Sequence, residues 1–244
     1  MIPVDDIYGE LRGRFYDLCK DRDLLHESVE IKARALGIRE AIGNPEEDDF
    51  PIQKGKERLM QAEFKGGKGQ AFTDRYGDYS GKLRDIIEMP LPNNFRRAIF
   101  VASINAVLSH LKKVQGTIHC KDQGPSLCAK DLALFLKERH GPIKITQVGF
   151  QPRFVELLAK TFEYRVLDLD PDNIGTVKFG VLVEGPDSTA DAVAWADLLL
   201  VTGTTLVNGT IQDFLHIKPL LFYGTTIAGA AYLMDWDRFC AKST

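Results

Sequence analysis

The feature that most constrains the fold is an apolar run near the C-terminus that ends abruptly in small and hydroxyl-bearing residues. Residues 196–201 read Ala-Asp-Leu-Leu-Leu-Val, and residues 202–210 read Thr-Gly-Thr-Thr-Leu-Val-Asn-Gly-Thr. A continuous apolar run without alternation predicts a strand buried on both faces, as in a parallel sheet covered by helices. The polar residues then lie at the carboxyl end of that strand, where ligands bind in open α/β sheets. The sequence therefore predicts the position of a ligand-binding region, without indicating the ligand or a reaction.

Strand-like and helix-like segments alternate through the C-terminal part of the chain. This alternation predicts a parallel sheet with helices on both faces, so the fold class is α/β with a Rossmann-like C-terminal domain. We predict domains at residues 1–115 and 116–244, the second including a leading helix at 126–139 that Gly141 closes. Strands are predicted at 143–149, 164–169, 179–183, 196–201 and 219–223, and helices at 152–160, 189–195, 208–215 and from 224 onward.

The N-terminal part predicts a smaller α+β domain. Apolar residues spaced by three and four predict helices over about 5–25 and 93–113. Asn105, inside the second helix, is expected to bond to neighbouring backbone groups, with a ligand role as the alternative. Period-two alternation over 56–73 predicts a β-hairpin with its turn at Gly66-Gly67, and residues 117–120 are β-like. Acidic residues interleave with the hairpin lysines, which predicts a solvated hairpin and not an anion site; they are Glu57, Glu63 and Asp74.

Composition and charge narrow the class of protein. The chain has 244 residues, of which 44% are hydrophobic and 27% charged, with a net charge of −3. This balance is typical of a globular protein and argues against binding nucleic acid. No apolar run approaches the roughly 20 residues of a membrane span, and the N-terminus lacks an export signal. The four cysteines are scattered, so we predict free thiols in a cytoplasmic protein. A homo-oligomer is compatible with these features.

Four ordered segments of the C-terminal part carry a family resemblance. They are residues 147–152, residues 168–175, residues 195–210 and Phe222-Tyr223-Gly224. Through them, residues 142–240 resemble the putative heavy-metal chelation family. The resemblance implies a Rossmann-like domain and, before it, a companion domain similar in fold to the N-terminal domain of enolase. It implies no enolase activity, because this chain is too short to contain the barrel that carries the catalytic residues of enolase.

Polar residues at the predicted strand ends form the first candidate site, because the carboxyl ends of parallel strands meet at one edge of a sheet. Residues 149–152 read Gly-Phe-Gln-Pro and depart from the Gly-x-Gly-x-x-Gly fingerprint, so ordinary NAD binding is not expected. The alternative is that these Gly and Thr residues serve turn geometry alone. The predicted ligand-binding residues are Gly149, Asp168, Asp170, Asn173, Thr202, Gly203, Thr204, Thr205, Asn208, Gly224, Thr225 and Thr226.

Side chains that suit metal ions form two further candidates. Imidazole and thiolate groups favour zinc, nickel, cobalt or copper, so the expected cofactor is a divalent transition metal. Cys128 falls in the first turn of the predicted helix, where unpaired N–H groups are expected to lower its pKa. The alternative is that these cysteines are small buried apolar side chains. The predicted metal ligands are His119, Cys120 and Cys128, and the acidic group that suits a cation is Asp168, Asp170 and Asp172.

Three functions are compatible with these residues. The leading one is a two-domain protein that binds a metal ion, or a small metal-chelating ligand, in the cleft between its domains. The alternative is an enzyme acting on a nucleotide-like or phosphorylated small-molecule cofactor, with Thr204, Thr205 and Asn208 orienting the anion and Asp170 holding a sugar. The third is a module that only binds a partner. No general base or nucleophile stands out, so no reaction is predicted.

Overall fold

The computed structural model of the chain describes residues 7–32, 43 and 57–244. In this part, helices and an antiparallel sheet precede a sheet that is almost entirely parallel. The predicted class, α/β with a smaller α+β unit before a Rossmann-like sheet, is therefore confirmed. The domain limits and the likeness to enolase remain predictions. None of the described helices is both long enough and apolar enough to cross a membrane.

The N-terminal unit is an antiparallel sheet covered by helices. Its elements are α1 (Ile7–Lys20), β1 (Ser28–Lys32), β2 (Arg58–Phe64), β3 (Gly67–Thr73), β4 (Tyr79–Lys82), α2 (Leu83–Glu88) and α3 (Asn94–His110). The described strands follow the order β3-β2-β1-β4. Asn93 caps α3, because its side chain accepts a hydrogen bond from the backbone N–H of Arg96 at 3.0 Å.

The β2–β3 hairpin turns one residue earlier than the sequence predicted. Lys65 and Gly66 have φ values of 47° and 85° and form the two-residue turn, since tight hairpin turns need the left-handed conformation. Gly67 belongs instead to β3, where it pairs with Phe64. A Cβ atom on Gly67 would meet the backbone of α3. This glycine therefore permits close packing of helix on sheet and does not serve the turn.

The C-terminal unit is a parallel sheet with one antiparallel edge strand. Its elements are α4 (Gly124–His140), β5 (Lys144–Val148), α5 (Pro152–Leu158), β6 (Glu163–Leu167), β7 (Val177–Lys178), β8 (Val181–Glu184), α6 (Thr189–Trp195), β9 (Leu198–Thr202), α7 (Thr204–Asn208), β10 (Leu220–Tyr223), α8 (Ala228–Met234) and β11 (Arg238–Phe239). The described strands follow the order β11-β10-β9-β5-β6-β8-β7, and only β7 runs antiparallel to its neighbour. Residues 198–201 of β9 are buried, as predicted for a strand covered on both faces.

Two local predictions beyond residue 116 are wrong. In place of the helix predicted over 208–215, α7 follows β9 directly and ends at Asn208, because Gly209 has a φ of 90° that stops a helix. Only a short 3₁₀ turn at Ile211–Asp213 forms beyond it. The β-like segment at 117–120 joins neither sheet. Its Ile118 exchanges two backbone hydrogen bonds with Thr244 instead.

Helix α3 is buried on nearly every side, although its sequence predicted one apolar face. Residues 98–108 are all buried, because the helix contacts β2 and β3 on one side and α7 and α8 on the other. One continuous core includes Phe64 and Ile104 of the N-terminal unit with Leu206 and Ala230 of the C-terminal unit. The two units therefore pack through α3.

Candidate functional site

A cavity of about 560 Å³ lies at the carboxyl ends of the parallel strands, between the two units. β5 and β9 are neighbours in the sheet, and β6 follows on one side of this pair and β10 on the other. The cavity lies where the loops after β5 and β9 therefore diverge. Such a topological switch point is the usual ligand crevice of open α/β sheets. The end of β3 and the start of α3 contribute Phe72, Thr73, Asp74 and Asn94 to the lining. The volume is within the range of small-molecule pockets, roughly 300–1,000 Å³.

The structure brings all of the sequence-predicted ligand and metal residues to this one cavity, whereas Asp172 of the predicted acidic group is exposed outside its lining. The strand-end residues and the imidazole and thiol residues all line it, although the sequence treated them as separate candidates. Whether they contact a ligand remains a prediction. The residues are Gly149, Asp168, Asp170, Asn173, Thr202, Gly203, Thr204, Thr205, Asn208, Gly224, Thr225 and Thr226 at the strand ends, and His119, Cys120 and Cys128 beyond them.

Asp168 connects the two loops that follow β5 and β6. Its Oδ2 accepts hydrogen bonds from the Phe150 backbone N–H at 2.9 Å and from Asn173 Nδ2 at 3.4 Å. Its Oδ1 accepts from the Asp170 backbone N–H at 2.7 Å. Burial raises the pKa of the Asp168 carboxyl, while these donors oppose the rise. Because neighbouring groups of the chain already occupy much of its acceptor capacity, this carboxylate shapes the loops.

The threonines after β9 bond mainly to groups within their own loop. Thr205 Oγ1 donates to the Thr202 carbonyl oxygen at 2.7 Å, and Thr202 Oγ1 donates to Thr204 Oγ1 at 3.2 Å. Asn208 Oδ1 accepts from both the backbone N–H and the hydroxyl of Thr210, at 3.0 and 2.8 Å. These bonds hold both ends of α7. They correspond to the turn-forming role that the sequence left as an alternative.

The loop at Gly224–Thr226 is fixed from the N-terminal unit. Asn105 Nδ2 donates to the carbonyl oxygens of Thr225 and Thr226 at 3.2 and 3.1 Å, as expected for a residue that bonds to backbone groups. Thr226 Oγ1 accepts from the Phe72 backbone N–H at 3.1 Å. Thr225 is only 1% exposed, and its hydroxyl has no hydrogen-bond partner among the described residues. The loop therefore places a residue with an unsatisfied buried hydroxyl in the cavity lining.

Glu57 is a cavity residue that the sequence did not indicate. The hairpin pattern predicts a solvated side chain, whereas Glu57 is half-buried and lines the cavity. The pairing of Arg58 with Thr73 places Glu57 beside Asp74 at the open end of the hairpin. Its carboxylate has no hydrogen bond or ion pair within the described part of the chain. Burial, and then the negative charges of Asp168, Asp74 and Asp170, raise the pKa of Glu57 to about 7. Two acidic residues flanking the open end of a hairpin were the available signal.

His119, Cys120 and Cys128 share their part of the lining with Cys240, which the sequence did not single out. Burial lowers the pKa of His119 to about 4, so the ring is neutral at physiological pH, and its buried Nδ1 has no partner in the described residues. Burial, and then the nearby thiol of Cys240, raise the pKa of Cys120 to about 12 and that of Cys128 to about 11. All four cysteines are free, as predicted.

The expectation of a lowered pKa for Cys128 is wrong. Helix α4 begins at Gly124, so Cys128 lies beyond its first turn and is 5% exposed. Within the ranges that the structure describes, no group of three or more His, Cys, Asp or Glu is placed to hold a metal ion. Ligation of a metal by His119, Cys120 and Cys128 therefore stays a prediction.

Part of the chain matches a known family of proteins. Residues 134–220 match the family model described as putative heavy-metal chelation. The match confirms the resemblance to this family over that part of the chain, which contains β5 to β9 and much of the cavity lining. No curated protein matches the sequence.

Two solved structures from the same family have a similar fold. A protein of unknown function from Pyrococcus horikoshii is 15% identical, with a TM-score of 0.56 over 91% of this chain and 80% of that protein. A protein of unknown function from Desulfitobacterium hafniense is 14% identical, with a TM-score of 0.51 over 72% of each chain. At such identities the likeness shows the fold alone.

Proposed function

We propose that this protein binds a small polar ligand in the cavity between its two units, and that this ligand is a metal-chelating compound or its metal complex. The observation that carries the proposal is a set of three polar groups without a partner in the described chain, each carried by a residue of the cavity lining. They are the Glu57 carboxylate, the His119 Nδ1 and the Thr225 hydroxyl.

Unpaired polar groups in a buried wall support a ligand-binding role. A buried donor or acceptor without a partner destabilises a fold by roughly 1–3 kcal/mol. Two buried groups of this kind, with the half-buried Glu57 carboxylate in the same lining, therefore favour a molecule that completes their hydrogen bonds. The cavity provides the room for it, since about 560 Å³ greatly exceeds the space that a lone ion occupies.

A chelated metal fits these residues better than a bare ion. A transition metal bound by protein alone needs three or four side-chain ligands around one point, and the described residues contain no such group. A chelator that brings its own ligands removes this requirement. The family description supports the same class of ligand.

The alternative enzyme function, with a phosphorylated cofactor, receives less support. Carboxylates of Glu57, Asp74, Asp168 and Asp170 line the same cavity and would repel a phosphate. Of the two threonines expected to orient that phosphate, Thr205 already donates its hydroxyl to the Thr202 carbonyl oxygen. We therefore do not propose this function.

Native mass spectrometry and elemental analysis of untagged protein, purified without chelators, test the proposal. We expect a small molecule, with or without metal, that is lost when Thr204→Trp fills the cavity. Leu134→Trp is the matched control, because Leu134 is exposed on α4 outside the lining. A ligand retained equally by both variants would show that the cavity is not the binding site.

A thiol variant tests the metal residues predicted from the sequence. Metal that is lost on combining Cys120→Ser with Cys128→Ser would place the metal at the thiol end of the cavity. Metal that is retained would exclude these two thiols as its ligands. Cys19→Ser is the control, since Cys19 is buried in α1 and does not line the cavity.

A further inference from the structure

We propose that the ligand presents positively charged N–H donors to the Glu57 end of the cavity, so that the protein recognises the outer surface of an amine-bearing chelate and not the metal. This inference rests on the proposed function and specifies its ligand class.

The charge of the lining is the first observation. Five carboxylates line the cavity, and no Lys or Arg is present among the described lining residues. The single imidazole, that of His119, stays neutral because burial lowers its pKa to about 4. A wall of one charge sign attracts a ligand of the opposite sign. The carboxylates are those of Glu57, Asp74, Asp168, Asp170 and Asp213.

The hydrogen bonds of these carboxylates are the second observation. Asp168 accepts from two backbone N–H groups, Asp170 accepts from the Asp172 N–H at 3.0 Å, and Asp74 accepts from Asn94 Nδ2 at 2.6 Å. Glu57 makes no such bond within the described chain. Glu57 therefore has its full acceptor capacity for a ligand, while the aspartates contribute their charge.

Two uncharged polar groups in the lining are the third observation. Thr225 is 1% exposed and has an unpartnered hydroxyl, and the buried His119 Nδ1 is also unpartnered. Both line the same cavity as Glu57. They can bond to polar atoms of an organic ligand, whereas the carboxylates are not grouped to share a metal ion. N–H donors suit such separated carboxylates, because each N–H group bonds to a single oxygen. A metal ion would instead need several oxygens around one point.

Isothermal titration calorimetry with three probes tests the inference, at a pH above the pKa of Glu57. Hexaamminecobalt(III) is a cation that presents N–H groups and does not exchange its ligands. Aqueous Ni²⁺ accepts protein ligands, and the nickel complex of EDTA is an anion that presents carboxylate oxygens and no N–H groups. We expect hexaamminecobalt(III) to bind most tightly, and Glu57→Gln to weaken it by about tenfold, the effect of losing one charge-assisted hydrogen bond.

Controls separate cavity binding from general attraction to an acidic protein. Glu138→Gln removes one exposed carboxylate on α4 outside the cavity and should leave the affinity for hexaamminecobalt(III) within about twofold of the wild type. Thr204→Trp should abolish binding. Thermal denaturation of each variant verifies that it is folded, and increasing salt should weaken binding to the wild-type protein.

The remaining outcomes overturn one proposal or both. Tighter binding of Ni²⁺ or of the EDTA complex, blocked by Thr204→Trp, would refute the amine-recognition inference and leave the cavity as a binding site. If no probe binds in a manner that Thr204→Trp blocks, the inference is wrong. If the purified protein also retains no ligand, the proposed function fails as well.

Discussion

Asn105→Ala should reveal how strongly one side chain joins the two units. Asn105 is fully buried, and its Nδ2 donates to the carbonyl oxygens of Gln70 at 2.9 Å, Thr225 at 3.2 Å and Thr226 at 3.1 Å. Its Oδ1 accepts from the Gly229 N–H at 2.7 Å. These bonds join α3 to β3 on one side and to the cavity loop and α8 on the other. The substitution therefore removes polar contacts from both units at once.

The magnitude follows from the partners that lose their bonds. Thr225 keeps a hydrogen bond from the Ala228 N–H at 3.1 Å, whereas the Gly229 N–H and the carbonyl oxygens of Gln70 and Thr226 have no other partner in the described chain. Three orphaned groups at roughly 1–3 kcal/mol each predict a loss of about 3–5 kcal/mol, the upper end being set by the largest losses that single substitutions usually cause. For a chain of this length, Tm should fall by about 6–20 °C.

Urea denaturation followed by circular dichroism measures this loss. Ser103→Ala is the control on the same helix, since Ser103 is equally buried but bonds only to the Ile99 carbonyl one turn away, at 2.7 Å. It should lower the free energy of unfolding by less than about 1 kcal/mol. Asn105→Asp should be most destabilising at high pH, because a charged carboxylate would face three carbonyl oxygens. An Asn105→Ala loss no larger than that of Ser103→Ala would refute the reasoning.

Three further predictions concern packing, the cavity loops and pH. A Cβ atom on Gly69 would meet the backbone of α3, so Gly69→Ala should lower stability by about 3 kcal/mol in thermal denaturation. Gly66→Ala meets no atom and should lose only about 1 kcal/mol through its positive φ; equal losses would contradict the packing argument. Arg97 donates to the last carbonyl oxygens of α7 at 2.6 and 3.4 Å, so Arg97→Ala should speed hydrogen exchange in α7 and its flanking loop, and unchanged exchange would contradict this anchoring. The pKa of Glu57 rises from 4.5 to about 7 on folding, so the folded state holds this proton more tightly and the contribution of Glu57 to wild-type stability should fall as pH rises between these values. Glu57→Gln should remove that fall and should make the protein about 1–2 kcal/mol more stable than the wild type above pH 7. A plot of Tm against pH would show this. The lowered pKa of His119 should make stability rise with pH between about 4 and 6.5, in the wild type and in the variant alike. A pH profile unchanged by Glu57→Gln would contradict the raised pKa of Glu57.

The parallel sheet and its crevice were predictable because they depend on short-range patterns. An apolar run that ends in Thr202-Gly203 specifies both a buried strand and the position of its end. Strand ends of one parallel sheet meet by topology, so the crevice residues could be grouped without knowledge of any contact. The helix over 208–215 was misplaced because the left-handed turn at Gly209 determines where α7 ends.

The contribution of the N-terminal unit was not predictable in the same way. The alternation of the hairpin identifies two strands, but the sequence does not say what packs against their open end. Glu57 therefore read as solvated, although the C-terminal unit encloses it. For the same reason, α3 was predicted to have a single apolar face, although both units cover it.

The sequence by itself determined the order of the elements, the parallel sheet and the edge at which its polar residues gather, because strand and helix periods are local properties of the chain. The tertiary structure alone decided that the imidazole, the thiols and the strand-end residues share one cavity, and that Glu57 completes it. Burial and pKa depend on which distant segment covers a side chain, and here the covering segment follows from how two units pack around α3.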